Sequence, residues 1–266
     1  MQIACSTSVG CNSTLEETLQ ALHQYGFEKI DLLVIDNWVH VNTQDLVNNW
    51  DETVTRVEQL LKQYQVKPTV INSGISSQLH DRTKESNEKR QKEIKALVKF
   101  MKHLDIKIAA IQPRNQDSSR PWQEVIDDCV TTLVEQIEMG KAEGVTFALE
   151  LHVGSPFETM EHANYLLDKL PDLPLIYDPT HFVMQGIDIR ETARLMDHAI
   201  HVHLRDAAKG KLQTKLGEGD VDFVWLLDEL NKRGYQGNVS IEYLQTDEFD
   251  VLPEAVKLRD LILQHR

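Results

Sequence analysis

Short runs of β-branched and apolar residues alternate along this chain with longer segments whose apolar positions recur at helical spacing. The strand-like runs are Ile3 to Ser6, Lys29 to Ile35, Lys67 to Ile71, Lys107 to Gln112, Val145 to Leu151, Pro174 to Asp178, Ala199 to Leu204 and Asn238 to Tyr243. Between them, helices are predicted over Thr14 to Gln24, Thr43 to Gln63, Thr83 to His103, Trp122 to Ala142, Glu158 to Lys169, Asp188 to Met196, Asp222 to Lys232 and Pro253 to Gln264. Eight strand-helix alternations predict repeated βα units around a parallel sheet, and in a chain of 266 residues they fit one closed (β/α)8 TIM barrel better than an open sheet. A single domain over residues 1–266 is the expectation.

Local signals agree with this division. Asn12-Ser13-Thr14 and Ser119 to Pro121 read as helix starts, and Gly26, Gly144 and Gly234 as helix stops just ahead of strands. Ser73 to Asn87, the most polar and least periodic stretch, follows the third strand and so falls at the barrel mouth, as a lid or, in preference, a solvated loop leading into a helix.

Composition narrows the function. The chain is 41% hydrophobic and 26% charged, an ordinary globular balance, and its formal net charge of −14 disfavours a nucleic-acid backbone as partner. No run of eighteen apolar residues and no basic patch leading into an apolar stretch is present, so neither a membrane span nor a signal peptide is predicted and a cytoplasmic protein is expected. Cys5, Cys11 and Cys129 form no CxxC pair and read as reduced, buried residues.

In a (β/α)8 barrel the active site forms where the strands end. Four consecutive strands here end in groups that can bind metal: Glu150 in Val145 to His152, Asp178 in Pro174 to His181, His201 and His203 in Ile200 to Asp206, and Glu242 in Asn238 to Tyr243. Each sits among residues that ought to be buried, and converging buried carboxylates need a compensating cation. Period-two alternation points His201 and His203 to the same face, with His203 nearer the mouth and therefore the better ligand, and His201 a hydrogen-bonded lumen residue. His181 is a ligand or, in preference, a substrate contact. Arg205, on the face of His203, meets substrate or forms a salt bridge, and Asp206 orients a ligand. Asp36-Asn37-Trp38-Val39-His40 brings Trp38 and His40 toward the mouth as substrate contacts, and Gly217-Glu218-Gly219 is either a turn or a place where backbone amides approach a ligand.

The segments Ala-Leu-Glu150-Leu-His152, Tyr-Asp178-Pro-Thr-His181, His201-Val-His203-Leu-Arg-Asp206, Gly217-Glu-Gly219-Asp-Val-Asp-Phe223 and Ser-Ile-Glu242-Tyr resemble the motifs of the xylose-isomerase-like superfamily of sugar isomerases and epimerases. The resemblance spans nearly the whole chain. It implies one divalent ion, manganese, magnesium, cobalt or zinc, on Glu150, Asp178, His203 and Glu242. It further implies that Glu150 and Glu242 act as a paired acid and base, moving a carbon-bound proton through a metal-stabilised enediolate. The substrate is then a carbohydrate or related polyol or keto-acid and the protein a homo-oligomer; the positions of His181, His152, Arg205, His40 and Trp38 make them the candidate substrate contacts. A metal-dependent lyase acting on a keto-sugar or a dehydroshikimate-like acid shares this logic and is the main alternative. The nucleases of the same superfamily need further metal ligands, and Asn72, Gln112 and Gln213 stand where those would lie. A non-catalytic sugar-binding barrel would be expected to lack a ligand, and none of the four is missing.

Overall fold

A computed structural model describes residues 1–265. Its strands, in chain order, are β1 (Gln2–Ser6), β2 (Lys29–Ile35), β3 (Lys67–Gly74), β4 (Ile108–Ile111), β5 (Thr146–Glu150), β6 (Leu175–Tyr177), β7 (Ala199–Leu204), β8 (Asp206–Ala208), β9 (Lys211–Thr214) and β10 (Asn238–Ile241). Eight of them pair in parallel and close a barrel in the order β1-β10-β7-β6-β5-β4-β3-β2, so β1 bonds to both β2 and β10. All eight predicted strands form, and the architecture is the expected (β/α)8 barrel. The two extra strands, β8 and β9, make an antiparallel hairpin directly after β7.

The helices are α1 (Leu15–Gln24), α2 (Thr43–Asn48), α3 (Trp50–Gln63), α4 (Lys84–His103), α5 (Trp122–Ala142), α6 (Met160–Lys169), α7 (Thr180–Val183), α8 (Phe223–Lys232) and α9 (Val251–Gln264). Thr14 caps α1 with a full capping box to Glu17, and Thr83 and Asp222 cap α4 and α8 through their side chains. Gly144 and Gly234 take the left-handed conformation just beyond their helices, as the sequence predicts. Two helical expectations need correction. The helix predicted over Thr43 to Gln63 is broken at Asn49, whose ψ of 43° leaves the helical region; asparagine side chains compete with the backbone for hydrogen bonds and so mark such breaks. The segment Ile189–His198 winds as 3-10 turns, opened by a capping box of Asp188 and Glu191.

Most of the apolar core lies between the barrel's outer face and the helices, for example Leu32, Ile71, Phe147 and Leu204 against Leu19, Leu97, Leu133 and Leu227. A separate small cluster, Ala110, Ala148 and Ile176 with Ile108 and Ile200, packs apart from it. Ala148 and Ile176 lie two residues before Glu150 and Asp178, so alternation places both acids on the face of this inner cluster. The barrel interior is therefore apolar on this side at depth and ionic above. The polar stretch after β3 is pinned down: Ser76 donates twice to the buried Glu93 of α4, and Arg90 donates to the carbonyls of Gln78 and Asp81. Among the described residues no helix is long and apolar enough to cross a membrane.

Close helix–strand packing yields a test. A Cβ built on Gly140 of α5 would lie 2.6 Å from the ring of Phe147 on β5 and 3.0 Å from the Val145 carbonyl. Alanine normally stabilises a helix interior over glycine by about 1 kcal/mol, but overpacking a dense core costs about 1–3 kcal/mol. Gly140→Ala is expected to lower stability in urea unfolding despite its better helix propensity; a rise in the unfolding midpoint would contradict this packing.

Candidate metal centre

The C-terminal ends of β5, β6, β7 and β10 deliver Glu150, Asp178, His203 and Glu242 to one buried point. One donor atom from each lies within 4.8 Å of all the others. His203 is central: its Nδ1 is 2.7 Å from Glu150 Oε1 and 3.1 Å from Glu242 Oε2. Asp178 uses Oδ1 to accept from the Thr180 backbone amide at 2.8 Å and from its hydroxyl at 2.5 Å, at the start of α7. Its Oδ2 faces the cluster.

Arg205, also buried, braces this arrangement. It donates to Asp178 Oδ2 at 2.9 Å, to the Glu242 carbonyl at 2.7 Å and to Thr180 Oγ1 at 3.2 Å, and lies 3.4 Å from Glu242 Oε2. Of the two roles the sequence left open, the salt bridge is the one formed, although Arg205 also borders the cavity described below. Asn72 of β3 donates to Glu242 Oε1 at 2.6 Å, and Gln112 to Asn72 at 3.4 Å.

The electrostatics follow from burial. Desolvation alone would raise the Glu150 carboxyl, but the charge and hydrogen bond of the His203 imidazole outweigh it and hold the group well below the usual carboxylate range. Burial would likewise lower the His203 imidazole, and Glu242, Glu150 and Asp31 around it push it well above its ordinary value. Burial, with His152 and the Arg205 guanidinium packed nearby, pushes His181 well below its ordinary value. A cluster that raises its own histidine this strongly is one that favours a cation.

The donor set fits a divalent ion. Ligands held about 2.0–2.2 Å from one ion lie roughly 3–4.4 Å from each other; the four donors here all lie within 4.8 Å of one another, and the 2.7 Å hydrogen bond between His203 Nδ1 and Glu150 Oε1 is the contact that would open as an ion replaced its proton. Three carboxylates and one imidazole suit manganese, magnesium, cobalt or zinc without selecting among them.

Above the cluster is a cavity of about 170 Å³ lined by Ser8, Leu33, Trp38, Asn72, Gln112, Glu150, His152, Arg205, Leu212, Glu242 and Leu244. Trp38, 46% exposed, forms part of its rim. His152 lies on the wall with its ring 3.7 Å from that of the buried His181, which in turn is 3.6 Å from Asp178. His40 is not brought to the cavity: its ring is held by Thr7, the Gly10 carbonyl and Thr18 at 3.0–3.2 Å. Asp206 turns away from the cluster as well. Its carboxylate accepts from the amides of Gly217 at 2.7 Å, Gly219 at 3.1 Å and Ala207 at 2.9 Å, so it folds the glycine turn, and those two glycine amides are already used.

Three features were missed in the sequence reading. The β8–β9 hairpin is pinned by Gln213, which exchanges hydrogen bonds of 2.8 Å with both backbone groups of Leu244 and so sets Leu212 and Leu244 over the cavity. Asn72, which the sequence marks only as standing in place of a nuclease ligand, donates to Glu242. Asp31, fully buried on β2, reaches His201 Nε2 at 2.6 Å and His203 Nε2 at 3.3 Å; a lone acid inside the apolar run Lys29–Ile35 was the available signal.

Residues 19–261 match the family model described as a xylose isomerase-like TIM barrel. The chain is 22% identical over 262 residues to the inosose isomerase of Halalkalibacterium halodurans, which aligns 92% of this chain with 89% of that protein. Over 146 residues it is 28% identical to the inosose dehydratase of Clostridium perfringens, covering 47% of this chain and 49% of that one. Among solved structures, a D-tagatose 3-epimerase-like protein superposes with a TM-score of 0.75 at 20% identity over 100% of this chain and 97% of its own. The IOLI protein with a bound zinc atom superposes with a TM-score of 0.73 at 19% identity over 99% and 96%.

The raised His203 makes metal loading depend on pH with a definite sign. Below its folded pKa the imidazole carries a proton at Nδ1 that an incoming ion must displace. Manganese affinity is expected to rise with pH between about 6 and 8, by up to about tenfold per unit, with net proton release. Calorimetric titration in two buffers of different ionisation enthalpy measures both; a flat affinity with no released proton would contradict the protonated imidazole.

Proposed function

Because this chain belongs to the xylose isomerase-like TIM-barrel family, we propose that it is a divalent-metal-dependent isomerase or epimerase of a small polyhydroxy ketone. The observation that carries the reading is the pair Glu150 and Glu242, which flank His203 Nδ1 at 2.7 and 3.1 Å and both line the one cavity above it. Glu150, Asp178, His203 and Glu242 are the residues that would hold the ion. When bound, a divalent ion supplies positive charge to the oxygen on which negative charge develops as a neighbouring carbon loses its proton.

The side chains perform the proton transfers. One carboxylate takes the proton from the carbon next to the carbonyl, and the other returns a proton to the opposite face or to the adjacent carbon. Asn72 and Arg205 orient Glu242 through hydrogen bonds to its two carboxylate oxygens, whereas Glu150 is held chiefly by His203. Leu33, Leu212 and Leu244 wall the cavity against water, which strengthens every charge interaction inside it. Trp38 and His152 line the cavity and would contact substrate, whereas the buried His181 packs behind His152 and would act through it; His40, held by Thr7, Gly10 and Thr18, stays outside the cavity. One domain, a cytoplasmic location and a homo-oligomeric state belong to the same reading.

A dehydratase is the second reading, favoured by the 28% identity to an inosose dehydratase over about half of each chain. It begins with the same proton abstraction and ends with loss of a hydroxyl group. A phosphodiesterase is disfavoured, since Asn72 and Gln112 are engaged with Glu242 and with each other, and Gln213 with Leu244.

Manganese-loaded protein incubated in D2O with inososes and ketoses is expected to place deuterium on carbon, as read by NMR. Glu150→Gln and Glu242→Gln are each expected to lower that exchange about a hundredfold or more. Exchange within a few-fold of the parent in either variant, with metal still bound, would require a different acid–base pair. Product analysis separates the two reactions, an isomer retaining all its oxygens against an unsaturated product that has lost water.

A further inference from the structure

We propose that Asp31 is a positioning residue of the metal centre, holding the His203 ring through Nε2 so that Nδ1 faces Glu150 and Glu242. The inference rests on the reading that those side chains hold a divalent ion.

The contact crosses the barrel interior. β2 and β7 are separated in the wall by β1 and β10, so the Asp31 and His203 side chains meet only within the lumen. Asp31 does not border the substrate cavity, which leaves its burial unexplained by substrate binding. Burying a carboxylate costs several kcal/mol unless it is paired, and Asp31 is paired toward the metal cluster: Oδ2 accepts from His201 Nε2 at 2.6 Å and lies 3.3 Å from His203 Nε2, while Thr69 Oγ1 is 3.3 Å from Oδ1. The His203 contact lies off the line of a full hydrogen bond, and no other partner satisfies that nitrogen.

The chemistry at the two ring nitrogens links these facts. A neutral imidazole that offers Nδ1 to a metal carries its proton on Nε2, and that proton needs an acceptor at depth. Asp31 is the carboxylate at that place. A carboxylate behind a ligating histidine fixes its tautomer and its orientation and increases its basicity, and losing such a group typically weakens metal binding by about 10–100-fold. His201 then acts one step further back, by holding the carboxylate that holds His203. The lumen location that the sequence assigns to His201 thereby acquires a use.

Manganese affinity, read by electron paramagnetic resonance of the free ion, tests this without reference to turnover. Asp31→Asn is expected to bind manganese about 10–100-fold more weakly than the parent. His201→Leu, which removes the donor to Asp31, should weaken binding in the same direction, whereas His201→Gln, whose amide nitrogen falls near the position of Nε2, should restore it to within about threefold of the parent. Should Asp31→Asn fail to fold, the contrast between the two His201 variants decides. Equal affinities for parent, His201→Leu and any folded Asp31→Asn would overturn the positioning role while leaving the metal centre in place. A parent chain that binds no manganese would instead remove the metal reading and this inference with it.

Discussion

Asp31, Glu150, Asp178 and Glu242 are drawn out of water within one barrel, with the Arg205 guanidinium and a group of imidazoles to answer them. Isolated burial of any one would cost several kcal/mol. Together they can persist only if positive charge is supplied among them, by protons on histidine, by Arg205 or by a bound divalent ion. This requirement sets the character of the site. It accounts for the upward push on His203, for the use of Arg205 as a brace between Asp178 and Glu242, and for the hydrogen bonds that Glu242 Oε1 takes from Asn72 and Asp178 Oδ1 from Thr180.

The barrel makes that concentration of charge possible. Strand alternation sends Ala148 then Glu150, Ile176 then Asp178, and Ser240 then Glu242 to the same side, so each acid stands on a small or apolar residue of its own strand. Parallel closure brings the ends of neighbouring strands to one rim. Segments beyond the strands complete the enclosure: α7 caps Asp178 through Thr180, the hairpin after β7 lays Leu212 over the cavity, and Asp206 ties the glycine turn behind it.

The fold and the convergence of Glu150, Asp178, His203 and Glu242 are legible in the sequence because each of them ends a buried strand, where an ionisable group is conspicuous among apolar neighbours. What surrounds them was less legible. The β8–β9 hairpin depends on the pairing of Gln213 with Leu244, residues 31 positions apart, and no local pattern announces it. Asp31 and His203 are 172 positions apart, and their approach depends on barrel closure. His40 shows the converse limit: proximity in sequence to Trp38 placed it at the mouth, yet Thr7, Gly10 and Thr18 supply partners that draw it aside. Alternation puts Arg205 on the face of His203, but the sequence does not decide between substrate and the two carboxylates it meets.

The most direct measurement is anomalous scattering from crystals of manganese-loaded protein, recorded at the manganese absorption edge. The account predicts one anomalous peak bounded by Glu150, Asp178, His203 and Glu242, with Asp31 on the far side of the His203 ring. The same data resolve the competing position among Asp31, His201 and His203, which also brings three potential donors within 4.8 Å. A peak at that deeper position, or none between the four strand-end side chains under metal-replete conditions, would contradict the account.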